Sequence, residues 1–288
     1  MDILRYTAFS TDPAGGNPAG VVLDASGLDG AAMLAVAAEV GYSETAFVTE
    51  RHQSGRGFDV RYFSPKLEVP FCGHATVATA VALADHVTGP GELLFRTEAG
   101  EVPVSVVAGP DGVLTATLTS VDPWVAPIGE AEVEEALRLL DWKPDDLDPE
   151  LPPRIAYAGA RHLVLAVRTR ARLAELAYDV DGLAAFMTQR DLVTLQLVWR
   201  EDARTFHVRD PFPVGGVFED PATGAATAAF GAYLRELGEA APSAPLTLHQ
   251  GDDMGRPGVL RVELRDGDRR VRVSGAAVPI PEVPIRQP

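Results

Sequence analysis

The sequence predicts an α+β chain made of two similar halves. Short segments of alternating or continuous apolar character, rich in Val, Phe, Tyr and Thr, recur along its whole length. Two helical segments, GHATVATAVALA from 73 and GAATAAFGAYL from 224, carry small or apolar residues on nearly every face. A helix that is apolar all round is buried. Each follows a proline-containing turn with Gly and Thr, in EVPFCGHAT and FEDPATGAAT. Pattern alone leaves two arrangements open: a strand-wrapped helix used twice, or two ordinary helices in a three-layer sandwich.

In chain order, the first half reads as strands over 2–9 and 19–24, a helix over 29–40, and strands over 45–50 and 58–64. The small-residue helix then runs from Gly73 into His86, followed by strands over 92–100, 101–109 and 112–120. Ala-Gly-Pro-Asp-Gly at 108–112 is the turn between the last two. The stretch 121–132 carries two prolines and loses periodicity, so it reads as a link.

The second half gives a polar helix over 131–140, strands over 154–159 and 162–168, and a helix over 180–189. Strands over 192–201 and 204–210 lead into a Gly/Pro-rich loop, and the second small-residue helix covers 224–237. Strands over 246–251, 258–264 and 269–275 close the chain. The predicted domains are 1–120 and 121–288, with the tail from 276 free to pack back on the first.

The 288 residues match about two domains of ~100–200 residues each. An apolar fraction of 46% supplies a core. The net charge of −16 repels phosphate backbones and anionic lipid, which argues against nucleic-acid and membrane-surface partners. The single cysteine, Cys72, rules out an internal disulfide and a cysteine-rich zinc site. No two histidines stand four apart, so no metal site is read. The N-terminus lacks a signal-peptide pattern, and no apolar run is long enough to span a membrane, which makes the cytoplasm the default location.

The two buried helices frame the candidate chemistry. A helix N-terminus presents unpaired N–H groups and a partial positive charge, and a glycine there admits a ligand to the backbone. Two such termini facing one cleft would suit a carboxylate; ordinary capping by Thr76, Thr223 or Asp220 is the plainer reading. Asp220 reads either as a group holding a substrate amine or hydroxyl, or as a first-turn aspartate favoured by the dipole. His74, at a helix start, is expected neutral and able to relay a proton, or simply half-buried on a loop. Glu44, at the head of an apolar strand, suits acid/base work if its pKa is raised, but a solvated strand-end Glu is commoner. Cys72 reads as an activated thiol or, better, as a small buried hydrophobe.

The segments GGNPAGVV, YSETAFV, RYFSPKLEVPFCGHAT and EDPATGAA, in this order and spacing, resemble the PhzF-like phenazine-biosynthesis family over almost the whole chain. The resemblance implies the diaminopimelate epimerase-like fold: two similar domains, each a mostly antiparallel sheet wrapped around a central helix, with the site between them. It further implies a homodimer, no cofactor, and a small carboxylate-bearing substrate. By this resemblance Glu44 shuttles the proton, with His74 and Asp220 as its catalytic partners. Asn17, Gly73, Thr223, Gly224 and Ala225 are then the substrate-binding positions. The family's best-understood member isomerises trans-2,3-dihydro-3-hydroxyanthranilate.

The family serine after A-T-G is Ala225 here, which questions that substrate more than the fold. The related two-thiol epimerases are excluded, because the second helix start offers no cysteine. An epimerase or cyclase of another amino or hydroxy acid, and a non-catalytic binder, remain as alternatives.

Overall fold

The computed structural model describes residues 1–240 and 244–281. Its first half contains strands β1 (Leu4–Ala8), β2 (Asn17–Val22), β3 (Glu44–Arg51), β4 (Gly57–Phe63), β5 (Glu68–Val69), β6 (Gly91–Thr97), β7 (Gly100–Ala108) and β8 (Leu114–Thr119). Helix α1 (Gly30–Val40) joins β2 to β3, and α2 (Gly73–Leu83) joins β5 to β6. The second half contains β9 (Trp124–Pro127), α3 (Glu130–Leu139), β10 (Arg154–Tyr157), β11 (Arg161–Val167), α4 (Arg170–Ala174), α5 (Val180–Gln189) and β12 (Thr194–Arg200). It continues with β13 (Thr205–Pro211), β14 (Glu219–Asp220), α6 (Gly224–Leu237), β15 (Leu246–Gln250), β16 (Gly258–Arg265) and β17 (Asp268–Pro279).

The first sheet runs β1-β2-β3-β4-β6-β7-β8-β17 and closes back on β1. Only β2/β3 and β4/β6 are parallel. The second sheet runs β9-β10-β11-β12-β13-β15-β16-β17 and repeats the pattern, with β11/β12 and β13/β15 parallel. Each sheet surrounds one helix. Every residue of α2 is buried, and so is α6 from Gly224 to Leu234. The strand-wrapped arrangement is therefore the one adopted.

Small residues are what let strands surround a helix. At Gly231 of α6, an added Cβ would meet Val262 Cγ1 at 2.8 Å and Val271 Cγ1 at 2.9 Å, from β16 and β17. The wrapping strands turn apolar residues inward at every second position. In β16, Leu260, Val262 and Leu264 are buried, while Val259, Arg261, Glu263 and Arg265 face out.

β17 ties the halves together. It pairs with β16 over Asp268–Ser274, with β8 over Arg272–Ala276, and with β1 over Ala277–Pro279. The tail thus returns to the first half as far as Ile280, whose N–H donates to the Arg5 carbonyl. Residues 282–288 of that expectation lie outside the described residues.

The reading of 121–132 as a plain link is corrected. Trp124–Pro127 forms β9, antiparallel to β10. Its Pro127 hid the strand, and proline is tolerated because β9 is an edge. Helix α4 was also not anticipated; Thr169 caps it through its side chain. Among the described residues, no helix is long and apolar enough to cross a membrane.

Candidate active site

The site lies where α2 and α6 meet, at the junction of the two sheets. Helix α1 is capped by the Asp29 side chain and ends at Gly41 with φ 72°, a left-handed turn suited to glycine. The chain then enters β3, so Glu44 is delivered at the strand's first residue, 5% exposed. Neither small-residue helix is capped by a side chain. Thr76 Oγ1 donates to the Cys72 carbonyl instead, and Thr223 Oγ1 donates to Asp220 Oδ2 at 2.7 Å. Capping by Thr76, Thr223 or Asp220 is therefore excluded.

Glu44, Cys72 and His74 form one buried cluster, their ligating atoms all within 4.8 Å of each other. His74 Nε2 is 3.5 Å from Glu44 Oε2, and Cys72 Sγ is 3.3 Å from His74 Nδ1. Asn17, fully buried at the start of β2, places its amide nitrogen 3.0 Å from His74 Nδ1 and 2.7 Å from Asp220 Oδ1. An amide nitrogen only donates. His74 Nδ1 is thus the acceptor, and its proton is on Nε2, towards Glu44. Burial pushes the His74 pKa down to about 3, so the ring is neutral.

The carboxyls are perturbed upwards. Burial, and then the neighbouring charge of Asp220, raise Glu44 to about 8, against hydrogen bonds from Ser43 and Cys72. Burial raises Asp220 to about 6, with Thr223 and Asn17 holding it lower than it would otherwise be. Burial and the Glu44 charge push the Cys72 thiol well up, so it stays protonated. Binding of a metal ion by Glu44, Cys72 and His74 would require that thiol proton to leave, which burial opposes.

The structure thus brings Glu44, His74, Asp220, Asn17 and Thr223 into one network. Gly73 and Gly224 face each other across the helix junction. A Cβ on Gly73 would lie 2.8 Å from Gly224 Cα and 2.8 Å from Ala225 N, so only glycine permits this approach. The two helix starts therefore approach each other backbone to backbone.

A cavity of about 320 Å³ opens beside the network. Its walls include Phe71, Tyr157, Phe212 and Arg161, and of the predicted site residues Glu44 alone lines it. Asn17, Gly73, His74, Asp220, Thr223, Gly224 and Ala225 are not among the lining residues.

Sequence reasoning missed three participants: Gln250, Arg209 and Glu219. Gln250, 1% exposed in β15, accepts from the Thr223 N–H at 2.8 Å and donates to the Asp220 carbonyl at 2.8 Å. A polar residue at an inward position of LTLHQ was the available signal. The buried pair of Arg209 and Glu219 clamps β14, which carries Asp220; Arg209 Nε donates to Glu219 Oε1 at 2.8 Å and Nη1 to the Ala174 carbonyl at 2.7 Å. Cys72 is buried and neutral, as the reading of a small buried hydrophobe expects, and it also lies in the cluster with Glu44 and His74.

The family model for phenazine biosynthesis-like proteins matches residues 6–282. The chain belongs to the PhzC–PhzF family. Within that family, it is 31% identical to a trans-2,3-dihydro-3-hydroxyanthranilate isomerase of Pseudomonas chlororaphis, over 94% of each chain. Its fold is similar to that of a protein from Pseudomonas aeruginosa described as a predicted epimerase, with a TM-score of 0.85, 27% identity, and coverage of 97% of this chain and 96% of that one. A hydroxyproline epimerase from Agrobacterium vitis shares the fold at a TM-score of 0.64 and 13% identity, covering 96% of this chain and 88% of that one. The likenesses to the Pseudomonas chlororaphis isomerase and the Pseudomonas aeruginosa predicted epimerase support an isomerase or epimerase role.

Proposed function

We propose that the protein is an isomerase that moves a proton between carbons of a small carboxylate-bearing substrate, with Glu44 as the acid/base. One observation carries this reading: Glu44 is a buried carboxyl with its pKa raised to about 8, and it borders the cavity. In its ionised form Glu44 takes a proton from a carbon beside an unsaturated system. The electron pair moves along that system, and Glu44 returns the proton to another of its carbons. No oxidant or reductant is needed.

The neutral His74, with Nε2–H towards Glu44, holds the carboxylate in place and donates to charge that develops beside it. Asp220, Asn17 and Thr223 fix His74 and the start of α6. Gly73, Gly224 and Ala225 form the tight junction that keeps both helix starts in register. We read the fold as diaminopimelate epimerase-like, with domains of 1–120 and 121–288 and a homodimer as the working form.

The proposed substrate is trans-2,3-dihydro-3-hydroxyanthranilate or a relative of it. The name of the Pseudomonas chlororaphis protein supports this. The methyl group of Ala225, where the family pattern has a serine hydroxyl, favours a relative. The test is incubation with that acid in D₂O, followed by NMR. Rearranged, deuterated product from wild type and none from Glu44→Gln is expected. Equal product from both proteins would remove Glu44 from its role.

A further inference from the structure

We propose that the cavity is a pocket for an apolar substituent of the substrate, and that Phe71, Tyr157 and Phe212 set the size of the group it accepts. The inference rests on Glu44 being the proton carrier and adds the substrate class: a carboxylate-bearing compound with a bulky hydrocarbon group beside the carbon that exchanges its proton.

Glu44, 5% exposed, forms the floor of the cavity. Above it the wall is built of Leu67, Val69 and Phe71 from the first half and Tyr157, Leu192 and Phe212 from the second. Polar side chains are few in this wall. The Ser64 hydroxyl is engaged within its own turn, where it donates to the Leu67 carbonyl at 3.1 Å and accepts from the Leu67 N–H at 3.1 Å. Arg161 and Asp191 face each other at 3.7 Å, with side chains 40% and 88% exposed, so they stand at the mouth. Tyr157 carries its hydroxyl at the tip of a large apolar ring. A substrate amine or hydroxyl placed between floor and mouth would lose water and find little to replace it. A hydrocarbon group gains from the same burial.

The cavity volume of about 320 Å³ sets the scale. An apolar cavity of about 150 Å³ is enough to take up benzene. The space therefore holds a reacting unsaturated unit and a further group of similar size.

The aromatic walls are fixed by their surroundings. The Phe71 ring lies on the backbone of Gly159, where a Cβ would come within 3.2 Å of Phe71 Cδ1 and where a φ of 115° suits glycine. Tyr62 meets the same ring edge to face, with centroids 6.2 Å apart. The Phe212 ring lies against the bare Cα of Gly215, where a Cβ would overlap it. Tyr157 is stacked on Trp124, its register partner on β9, with centroids 5.3 Å apart. Walls seated in this way are already in place for a ligand and select by shape.

Calorimetric titration with benzoate, 4-propylbenzoate and 4-(2-hydroxyethyl)benzoate, together with the 3-substituted isomers of the last two, tests the proposal without turnover. The propyl and hydroxyethyl groups are isosteric and differ in one terminal methyl or hydroxyl. Wild type should bind at least one propyl isomer about tenfold or more tighter than benzoate, since each buried methylene is worth about three- to fourfold. The matching hydroxyethyl isomer should gain far less. Ala160→Leu and Val193→Phe add bulk at two other lining positions. At least one of them should abolish the propyl gain while leaving benzoate binding unchanged. Equal binding of the propyl and hydroxyethyl acids, no gain over benzoate, a gain that survives in both variants, equal loss of all ligands in both, or no binding of any acid by wild type would each overturn the proposal. The propyl gain should persist in Glu44→Gln, so failure of the proton-transfer reading and failure of the apolar pocket show up in separate measurements.

Discussion

Among the described residues, two buried clusters pair a histidine with a carboxyl, and the contrast between them is informative. The first joins Glu44, Cys72, His74, Asn17 and Asp220 at the helix junction. The second lies in the second half, where His162 Nδ1 is 2.8 Å from Thr194 Oγ1 and that hydroxyl donates to Asp210 Oδ1 at 3.1 Å. Each has a carboxyl pushed up and a histidine pushed down to about 3, with burial as the largest cause. Perturbation alone would nominate both as functional. Access separates them: Glu44 borders the cavity, whereas His162 and Asp210 are fully buried and do not line it. The two clusters meet where Asp210 stands opposite Asp220 in the β13/β14 register.

The largest expected effect sharpens this contrast. Glu44→Gln should cut turnover by about 10²–10⁴, the usual worth of a general acid/base. It should also stabilise the fold above neutral pH. The folded-state pKa of Glu44 is raised, so the wild type loses stability as pH rises from the ordinary carboxylate value of 4.5 through about 8. Gln carries no such charge. Melting temperatures of mutant and wild type should therefore agree at pH 4 and diverge at pH 8, with the mutant higher.

Next in size is Arg209→Ala. It strands Glu219 as an unpaired charge in the interior, which costs about 3–5 kcal/mol. Chemical denaturation should show that loss. Asp210→Asn is expected to have the smallest effect and breaks the comparison if it does not. The raised Asp210 pKa gives the same sign as for Glu44, so the variant should gain stability at neutral pH and nothing at pH 4. Its turnover should match wild type. A large loss of turnover would make the second cluster part of the chemistry.

Much of the fold was readable from residue pattern. The burial of α2 and α6 followed from Ala, Gly and Thr on every face, and the second was expected over 224–237 and found over Gly224–Leu237. Strand β9 was not readable, because an edge strand tolerates the proline that elsewhere ends one. Pattern could nominate Glu44, His74 and Asp220 only weakly; their order and spacing within recognisable segments did more.

What stayed hidden depends on pairing between distant segments. The stack of Trp124 on Tyr157, with Arg161 over the indole, forms only once β9, β10 and β11 lie side by side. Gln250 reaches Thr223 only because β15 pairs with β13 and faces α6. The contact of Gly73 with Gly224 joins residues from opposite halves, and no local signal announces it.

The central claim is that burial at the cavity floor makes Glu44 a proton carrier near neutral pH. The most direct measurement is a pH titration of the Glu44 side-chain carboxyl by ¹³C NMR, assigned by its loss in Glu44→Gln. A midpoint near the raised value of about 8 is expected. A midpoint in the ordinary carboxylate range, about 4, would contradict it.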